Sequence, residues 1–163
     1  MTITIKKCIE ESERLGVRIY GDTSFRGDCK KEDPELVFMY QSLKLEFPQY
    51  EHLFFHVVNE WKPQGSTSYG HYAKLINKGM KPRLADFICL PINESAPAFL
   101  CEMKRKNIAE SIKSKDRKVH YLEQISLLSS QKQNGSVVCV SLGGDNGVKA
   151  FREYVNEYAR ASK

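Results

Sequence analysis

The sequence of 163 residues lacks any apolar run near the roughly 20 residues that a membrane-spanning helix needs. Its first residues, MTITIKKCIEESERLG, are charged and amphipathic, unlike a secretory signal. It also lacks internal repeats and low-complexity tracts. The composition, 41% hydrophobic and 28% charged, is typical of one folded domain with its own core. We therefore expect a globular cytoplasmic protein that does not bind membranes.

The five cysteines form no Cys-x-x-Cys pair, and their number is odd. Cys89, Cys101 and Cys139 lie in apolar runs typical of strands, where a reduced cysteine packs as a small hydrophobic residue. This usage favours neither a zinc site nor a framework of disulfides.

Positive charge is concentrated between Lys104 and His120. Seven basic residues and two acidic ones give this stretch a net charge of +5, equal to that of the whole chain. Such a patch suits a polyanion. A lysine-rich loop exposed to solvent is the alternative. The basic residues are Lys104, Arg105, Lys106, Lys113, Lys115, Arg117 and Lys118.

Hydrophobic periodicity predicts alternating helices and strands after a weakly patterned extension over residues 1–32. A helix is expected to start at Asp33 as N-cap, with Pro34 in the first helical position, and to end at Pro48. Strands are predicted over 54–58, 84–90, 98–104 and 136–142, and helices over 69–78, 119–134 and from about 148 onward. This order predicts an α/β domain over 33–163, with a mixed central sheet flanked by helices.

Asp86 and the tripeptide Glu102-Met103-Lys104 are the residues that suggest chemistry. Side chains alternate along a strand, so Glu102 and Lys104 share one face while Met103 points into the core. If the strands 84–90 and 98–104 pair as a hairpin, Asp86 lies beside Glu102. Two converging carboxylates next to an ammonium suit a hard cation such as Mg²⁺ or Mn²⁺.

A cation held there would polarise a phosphodiester oxygen and acidify a water molecule, while Lys104 offsets charge that develops on phosphorus. The arrangement therefore favours phosphodiester hydrolysis. The alternative is that these charged residues lie singly on the solvent face of an ordinary hairpin. His56 could assist catalysis or pack in the core. We expect it to pack in the core, because its run, FFHVV, is apolar.

Several segments agree in order and spacing with one family. They resemble the virus-type replication-repair nucleases, the VRR-NUC family of the PD-(D/E)XK superfamily, from Glu35 to the C-terminal residue. The segments are ELVFMYQ at 35–41, FPQY at 47–50, FFHVVNEWK at 54–62, LINKGMKPRLADF at 75–87, FLCEMK at 99–104 and QISLLSSQKQNG at 124–135.

The resemblance implies a restriction-endonuclease-like fold with a Mg²⁺ or Mn²⁺ site. Asp86 and Glu102 would be its acidic ligands, the backbone carbonyl of Met103 would be a further ligand, and Glu35 on the first long helix would complete it. Without the family, Glu35 is a first-turn carboxylate that favours the positive end of a helix dipole.

The resemblance also assigns catalytic roles to Lys104, as the motif lysine, and to Gln124, which would orient Lys104 or the attacking water. Gln124 is otherwise an ordinary polar residue on a helix. The family approaches its aspartate through Gly-x-Pro-Asp, whereas this chain has Arg83-Leu84-Ala85-Asp86, which predicts a different path for the loop.

Phosphate contacts are expected from basic residues around the site, and surface lysines without a specific role are the alternative. Trp61 and Tyr69 flank a polar loop and would stack on exposed bases, although partial burial is the alternative for Trp61. The basic residues are Lys62, Lys81, Arg83, Arg105, Lys106, Lys113, Lys115, Arg117 and Lys118.

These features together predict a metal-dependent DNA endonuclease. By resemblance to small members of the family, it would cut branched DNA such as Holliday junctions as a homodimer, in a bacterial or phage-infected cell. Two alternatives stay open: a DNA-binding module that keeps the fold without turnover, and a nicking or restriction-like nuclease acting on duplex DNA.

Overall fold

A computed structural model describes residues 3–57, 66–78 and 83–159. The strands within these ranges are β1 (Arg18–Tyr20), β2 (Phe54–His56), β3 (Phe87–Cys89), β4 (Phe99–Lys104) and β5 (Val137–Leu142). The helices are α1 (Ile5–Arg14), α2 (Glu32–Glu46), α3 (Ser66–Asn77), α4 (Ile108–Ser111), α5 (Lys115–Gln133) and α6 (Gly144–Tyr158), with a 3₁₀ helix at Pro48–Leu53.

The five strands form one mixed sheet in the order β1-β5-β4-β3-β2. β5 runs parallel to both β1 and β4, whereas β3 runs antiparallel to both β4 and β2. The predicted mixed sheet is therefore confirmed. The predicted hairpin is confirmed as well, because β3 and β4 pair with Phe87 opposite Cys101.

Residues 3–32, the described part of the predicted N-terminal extension, contribute a strand to the same sheet. β1 pairs along β5, with Ile19 opposite Val140. α1 packs on α5, and the Ser12 hydroxyl lies 2.9 Å from the Tyr121 hydroxyl. The chain entering the domain therefore completes one edge of the sheet and covers part of one face.

Helices cover the sheet on two sides. α2 and α6 pack on one face around an aromatic core that includes Phe87, Phe99 and Phe151. α1 and α5 pack on the other face, where Leu100 and Val140 are buried among aliphatic side chains. Cys89, Cys101 and Cys139 are buried on the α2–α6 side, as expected for residues in apolar strands.

The start of α2 differs from the prediction. The helix begins at Glu32, and Lys31 is its N-cap without a side-chain hydrogen bond, so Asp33 lies in the first turn instead of capping it. Pro34 is tolerated there because the first amide groups of a helix have no intrahelical acceptor. The earlier start brings Glu32 into the helix, and Pro48 follows its end as predicted.

The start of α5 also differs, because the helix begins at Lys115 and not near residue 119. The Ser114 hydroxyl accepts a hydrogen bond from Arg117 N at 3.2 Å and caps the helix. Upstream, Ile108 and Ile112 are buried and anchor the short helix α4. The basic stretch after Lys104 is therefore folded against the core.

In the ranges the structure describes, none of the helices is both long and apolar enough to cross a membrane.

Candidate active site

Glu102 and Lys104 form an ion pair on the face of β4 that α5 covers. Lys104 Nζ donates to Glu102 Oε1 at 2.6 Å, and the two side chains are 9% and 1% exposed, respectively. Met103, between them, points into the core on the opposite face, as strand alternation predicts. The shared face of Glu102 and Lys104 is thus confirmed, but the pair is buried instead of exposed on a hairpin surface.

Gln124 on α5 reaches the same carboxylate. Its Nε2 donates to Glu102 Oε1 at 2.5 Å, so one oxygen of Glu102 accepts hydrogen bonds from both Lys104 and Gln124. Gln124 is itself buried. The contact of Gln124 orients Glu102, whereas the resemblance implies that Gln124 orients Lys104 or the attacking water.

Two buried oxygens of this cluster have no hydrogen-bond partner, Glu102 Oε2 and Gln124 Oε1. Buried polar atoms without partners are rare in folded proteins and cost free energy. For a carboxylate oxygen the compensating partner is a cation, a proton or a water molecule. Glu102 Oε2 is therefore the atom of this site most suited to a further ligand.

Asp86 precedes β3, and the hairpin register places it opposite Glu102. Asp86 Oδ2 accepts a hydrogen bond from Met103 N at 2.9 Å. This bond fixes the Asp86 carboxylate at the edge of β4, one residue from both Glu102 and Lys104. The predicted convergence of Asp86, Glu102 and Lys104 is therefore present.

Burial and charge shift the pKa values of these groups. Burial raises the pKa of Glu102 from 4.5 to about 8, against the lowering effect of the Lys104 charge. Burial also raises the pKa of Asp86, again opposed by Lys104. Burial alone would lower the pKa of Lys104, but the charges of Glu102, Glu32 and Asp86 outweigh it and raise the value. Lys104 is therefore protonated at neutral pH.

The hydrogen bond of Glu35 is made with α6 and not with a side chain of this cluster. Its side chain is buried, and Glu35 Oε2 accepts a hydrogen bond from Gly144 N at 2.8 Å, at the first residue of α6. There the carboxylate meets the positive end of a helix dipole and one of the amide groups that the helix leaves unpaired. This contact gives Glu35 a role in holding α6, and the expectation that it completes the site stays a prediction.

Glu32 is the α2 carboxylate that lies near the cluster. It lines a cleft together with Asp86, and its charge contributes to the shifts of Asp86, Glu102 and Lys104. Ser111 Oγ donates to Glu32 Oε1 at 2.5 Å and holds it in place. Sequence reasoning missed Glu32 because it placed the helix start two residues later. Three acidic residues in one first turn were the available signal.

His56 is exposed at the end of β2, so the expectation of a buried core histidine is wrong. Its Nδ1 lies 2.9 Å from the backbone oxygen of Asp86. A carbonyl oxygen only accepts, so Nδ1 carries the proton of this hydrogen bond. His56 lines the same cleft as Asp86, which the run of apolar neighbours did not indicate.

The cleft lies between α2 and the strands β2 and β3, with a volume of about 410 Å³. Acidic side chains line part of it, and apolar and aromatic side chains line the rest. Its lining residues are Glu32, Asp33, Leu36, Val37, Tyr40, Gln41, His56, Asp86, Phe87 and Met103. The cleft is open to groups that approach Asp86 from the α2 side of the sheet.

Arg83 precedes Asp86 by three residues and has a φ of 72°, a left-handed conformation that favours glycine. The backbone at this position therefore has the conformation suited to the glycine of the family pattern, although the residue is arginine. Arg83 Nε pairs with Glu123 Oε2 at 3.1 Å. The pKa of His120 is lowered first by burial and then by the charges of Lys104 and Arg83.

The other basic residues predicted to contact phosphate lie along the segment that leaves the site. Arg105 N donates to Ser111 Oγ, Lys106 Nζ pairs with Asp145 and Lys113 Nζ with Glu110. In the described part of the chain, the side chains of Arg105, Lys115 and Lys118 make no hydrogen bond or ion pair. Lys62, Lys81 and Trp61 lie outside the described residues, and the Tyr69 side chain is likewise not described.

The donors present fit a hard divalent cation. Glu102 Oε2 is buried without a partner, and Asp86 lies beside it in the hairpin register. Among the residues described, no three His, Cys, Asp or Glu side chains form a ready metal-binding group. Mg²⁺ commonly takes one or two protein carboxylates and completes its coordination with water and substrate phosphate. The role of the Met103 carbonyl as a further metal ligand stays a prediction.

Comparison of the chain with protein-family models, with curated proteins and with solved structures finds no match. The resemblance to the VRR-NUC family therefore stays a prediction from the motifs.

Proposed function

We propose that the protein is a metal-dependent DNA endonuclease of the PD-(D/E)XK type. The buried cluster of Glu102, Lys104 and Gln124 beside Asp86, with an unpartnered oxygen on Glu102, is the observation that carries this proposal. A buried ion pair stabilises a fold only weakly, because desolvation offsets its attraction. A buried pair with an unsatisfied oxygen and shifted pKa values is more typical of a functional site.

Asp86 and Glu102 would hold Mg²⁺ or Mn²⁺. The ion would supply charge that polarises the phosphodiester and makes a water molecule more acidic. Gln124 and Lys104 hold Glu102 in one orientation through Oε1, which leaves Oε2 directed away from them. The Lys104 ammonium places positive charge at the site, where negative charge on the phosphate increases during hydrolysis.

The substrate we propose is branched DNA such as a four-way junction, cut by a homodimer. A junction presents two symmetry-related strands, and a twofold dimer would present one site to each of them. The folded basic segment after Lys104 leads from the site toward α5 and carries the charge that a DNA backbone requires.

The test is cleavage of end-labelled four-way junction, flap, single-stranded and linear duplex DNA in Mn²⁺. Wild type, Asp86→Ala and Glu157→Ala are compared, because Glu157→Ala removes an exposed carboxylate from α6 as a matched control. We expect symmetric junction incisions by wild type and Glu157→Ala, and none by Asp86→Ala. Equal cutting of every linear duplex would instead favour a nicking or restriction-like nuclease.

One observation favours a second function, a DNA-binding module without turnover. In the described ranges no three metal-binding side chains converge, so the site has few protein ligands. Binding that persists in EDTA, with no cleavage in Mg²⁺, Mn²⁺ or Co²⁺, would support this function and contradict the nuclease.

A further inference from the structure

The cleft beside Asp86 extends well beyond the groups needed for phosphodiester hydrolysis. Its volume of about 410 Å³ lies within the range typical of small-molecule sites, roughly 300 to 1,000 Å³. Asp86 and Glu32 lie at its acidic end, and Leu36, Val37 and Phe87 are among its apolar walls. A group as large as a nucleobase therefore fits next to the carboxylate of Asp86.

Away from the cation that Asp86 would hold, the charge of this cleft disfavours phosphate. Its charged lining consists of Glu32, Asp33 and Asp86, and no lysine or arginine is among its lining residues in the described chain. Carboxylates repel a phosphate but accept hydrogen bonds from ring N–H and amino groups. The cleft therefore suits the base of a nucleotide.

Tyr40 supplies an aromatic surface in the cleft wall. Its ring packs edge to face against Phe54, with ring centroids 6.3 Å apart. Aromatic rings of this kind stack on bases without regard to sequence. Val37, 60% exposed, lies on the same helix in the cleft wall. Stacking and carboxylate acceptors together are the features by which proteins bind an unpaired base.

We infer that this cleft receives an unpaired nucleobase of the DNA, from a nucleotide adjacent to the phosphate that lies at Asp86. The inference rests on the proposed function and adds the reason for its preference for branched DNA. A base that is already unpaired at a branch or flap leaves the stack at little cost, whereas a base in intact duplex must first be unpaired.

The experiment measures binding in EDTA, so that cleavage is not involved. The probes are a duplex with one unpaired 2-aminopurine at a branch, the same duplex with the 2-aminopurine paired, and 2-aminopurine riboside alone. Val37→Trp fills the cleft from an exposed position, and Leu45→Trp places the same side chain elsewhere on α2, where Leu45 is 83% exposed. Thermal unfolding of each variant checks that it is folded.

We expect wild type and Leu45→Trp to bind the unpaired-base duplex about tenfold more tightly than the paired one, with a change in 2-aminopurine fluorescence. Val37→Trp should lose both the preference and the fluorescence change, while its affinity for paired duplex is unchanged. Asp33→Asn, which removes a charged acceptor, should reduce the preference in part.

Equal behaviour of Val37→Trp and wild type would overturn the inference, even if both cut DNA, and the proposed nuclease would then still stand. Binding of the free riboside as tight as that of the unpaired-base duplex would overturn it as well, in favour of a nucleoside site. A preference that Val37→Trp abolishes, in a protein that never cleaves, would support the cleft and refute the nuclease.

Discussion

Gly144 N donates a hydrogen bond to Glu35 Oε2 at 2.8 Å, so a buried carboxylate of α2 caps the first turn of α6. Gly144 permits this approach because a Cβ at its position would collide with the backbone oxygen of Glu35. The two helices that cover one face of the sheet are therefore joined at the end where the candidate site lies. Glu32, one turn earlier, is bonded instead to Ser111 Oγ.

The first prediction compares the variants Glu35→Gln and Glu32→Gln in stability and in cleavage. Glu35→Gln removes a negative charge from the N-terminus of α6 and should lower the free energy of unfolding by about 1 kcal/mol, with Mn²⁺-dependent cleavage unchanged. Glu32→Gln should leave stability nearly unchanged and reduce cleavage at least about tenfold, as for residues around a metal site. Urea unfolding and single-turnover cleavage measure both. Loss of cleavage in Glu35→Gln at wild-type stability would return Glu35 to the site.

The second prediction concerns pH. The pKa of Glu102 is higher in the folded chain, about 8, than its ordinary value of 4.5, so folding favours the protonated form. Its contribution to stability is therefore complete below pH 4.5 and is lost as pH rises through about 8. Urea unfolding between pH 5 and 9, in EDTA, should show wild type losing stability relative to Glu102→Gln, which cannot titrate. Parallel curves for the two proteins would mean that the Glu102 pKa is not raised.

Arg83 provides a third prediction, because its left-handed backbone is costly for any residue with a Cβ. Arg83→Gly and Arg83→Ala both remove the ion pair with Glu123. We expect the glycine variant to be more stable than the alanine variant by about 1 kcal/mol, measured by chemical unfolding. An alanine variant as stable as the glycine variant would show that this conformation is not retained.

The fourth prediction tests the basic segment. Replacing Lys113, Lys115, Arg117 and Lys118 with glutamine should weaken binding to DNA of every sequence and reduce the slope of log affinity against log salt. A control with the exposed cations Lys44, Lys132, Lys149 and Arg152 replaced has the same change of net charge. Fluorescence anisotropy at several salt concentrations measures the slope. Equal slopes for the two variants would place the segment outside the interface.

Much of the candidate site could be predicted from the sequence because it depends on local geometry. Strand alternation alone places Glu102 and Lys104 on one face, and the short link between β3 and β4 makes their antiparallel pairing the simplest connection, which brings Asp86 beside Glu102. The apolar periodicity of α5 and the glycine after it also predicted that helix up to its C-terminal end, where Gly135 has a φ of 93°.

Other features depended on contacts between residues far apart in the chain. Whether Glu32 or Glu35 faces Asp86 is decided by how α2 rotates against α6, and each carboxylate is equally compatible with a first helical turn. The burial of the Glu102–Lys104 pair requires α5 to cover β4, and the exposure of His56 follows from its place at the edge of the sheet. Sequence periodicity determines which residues share a face, whereas only tertiary packing decides which faces meet.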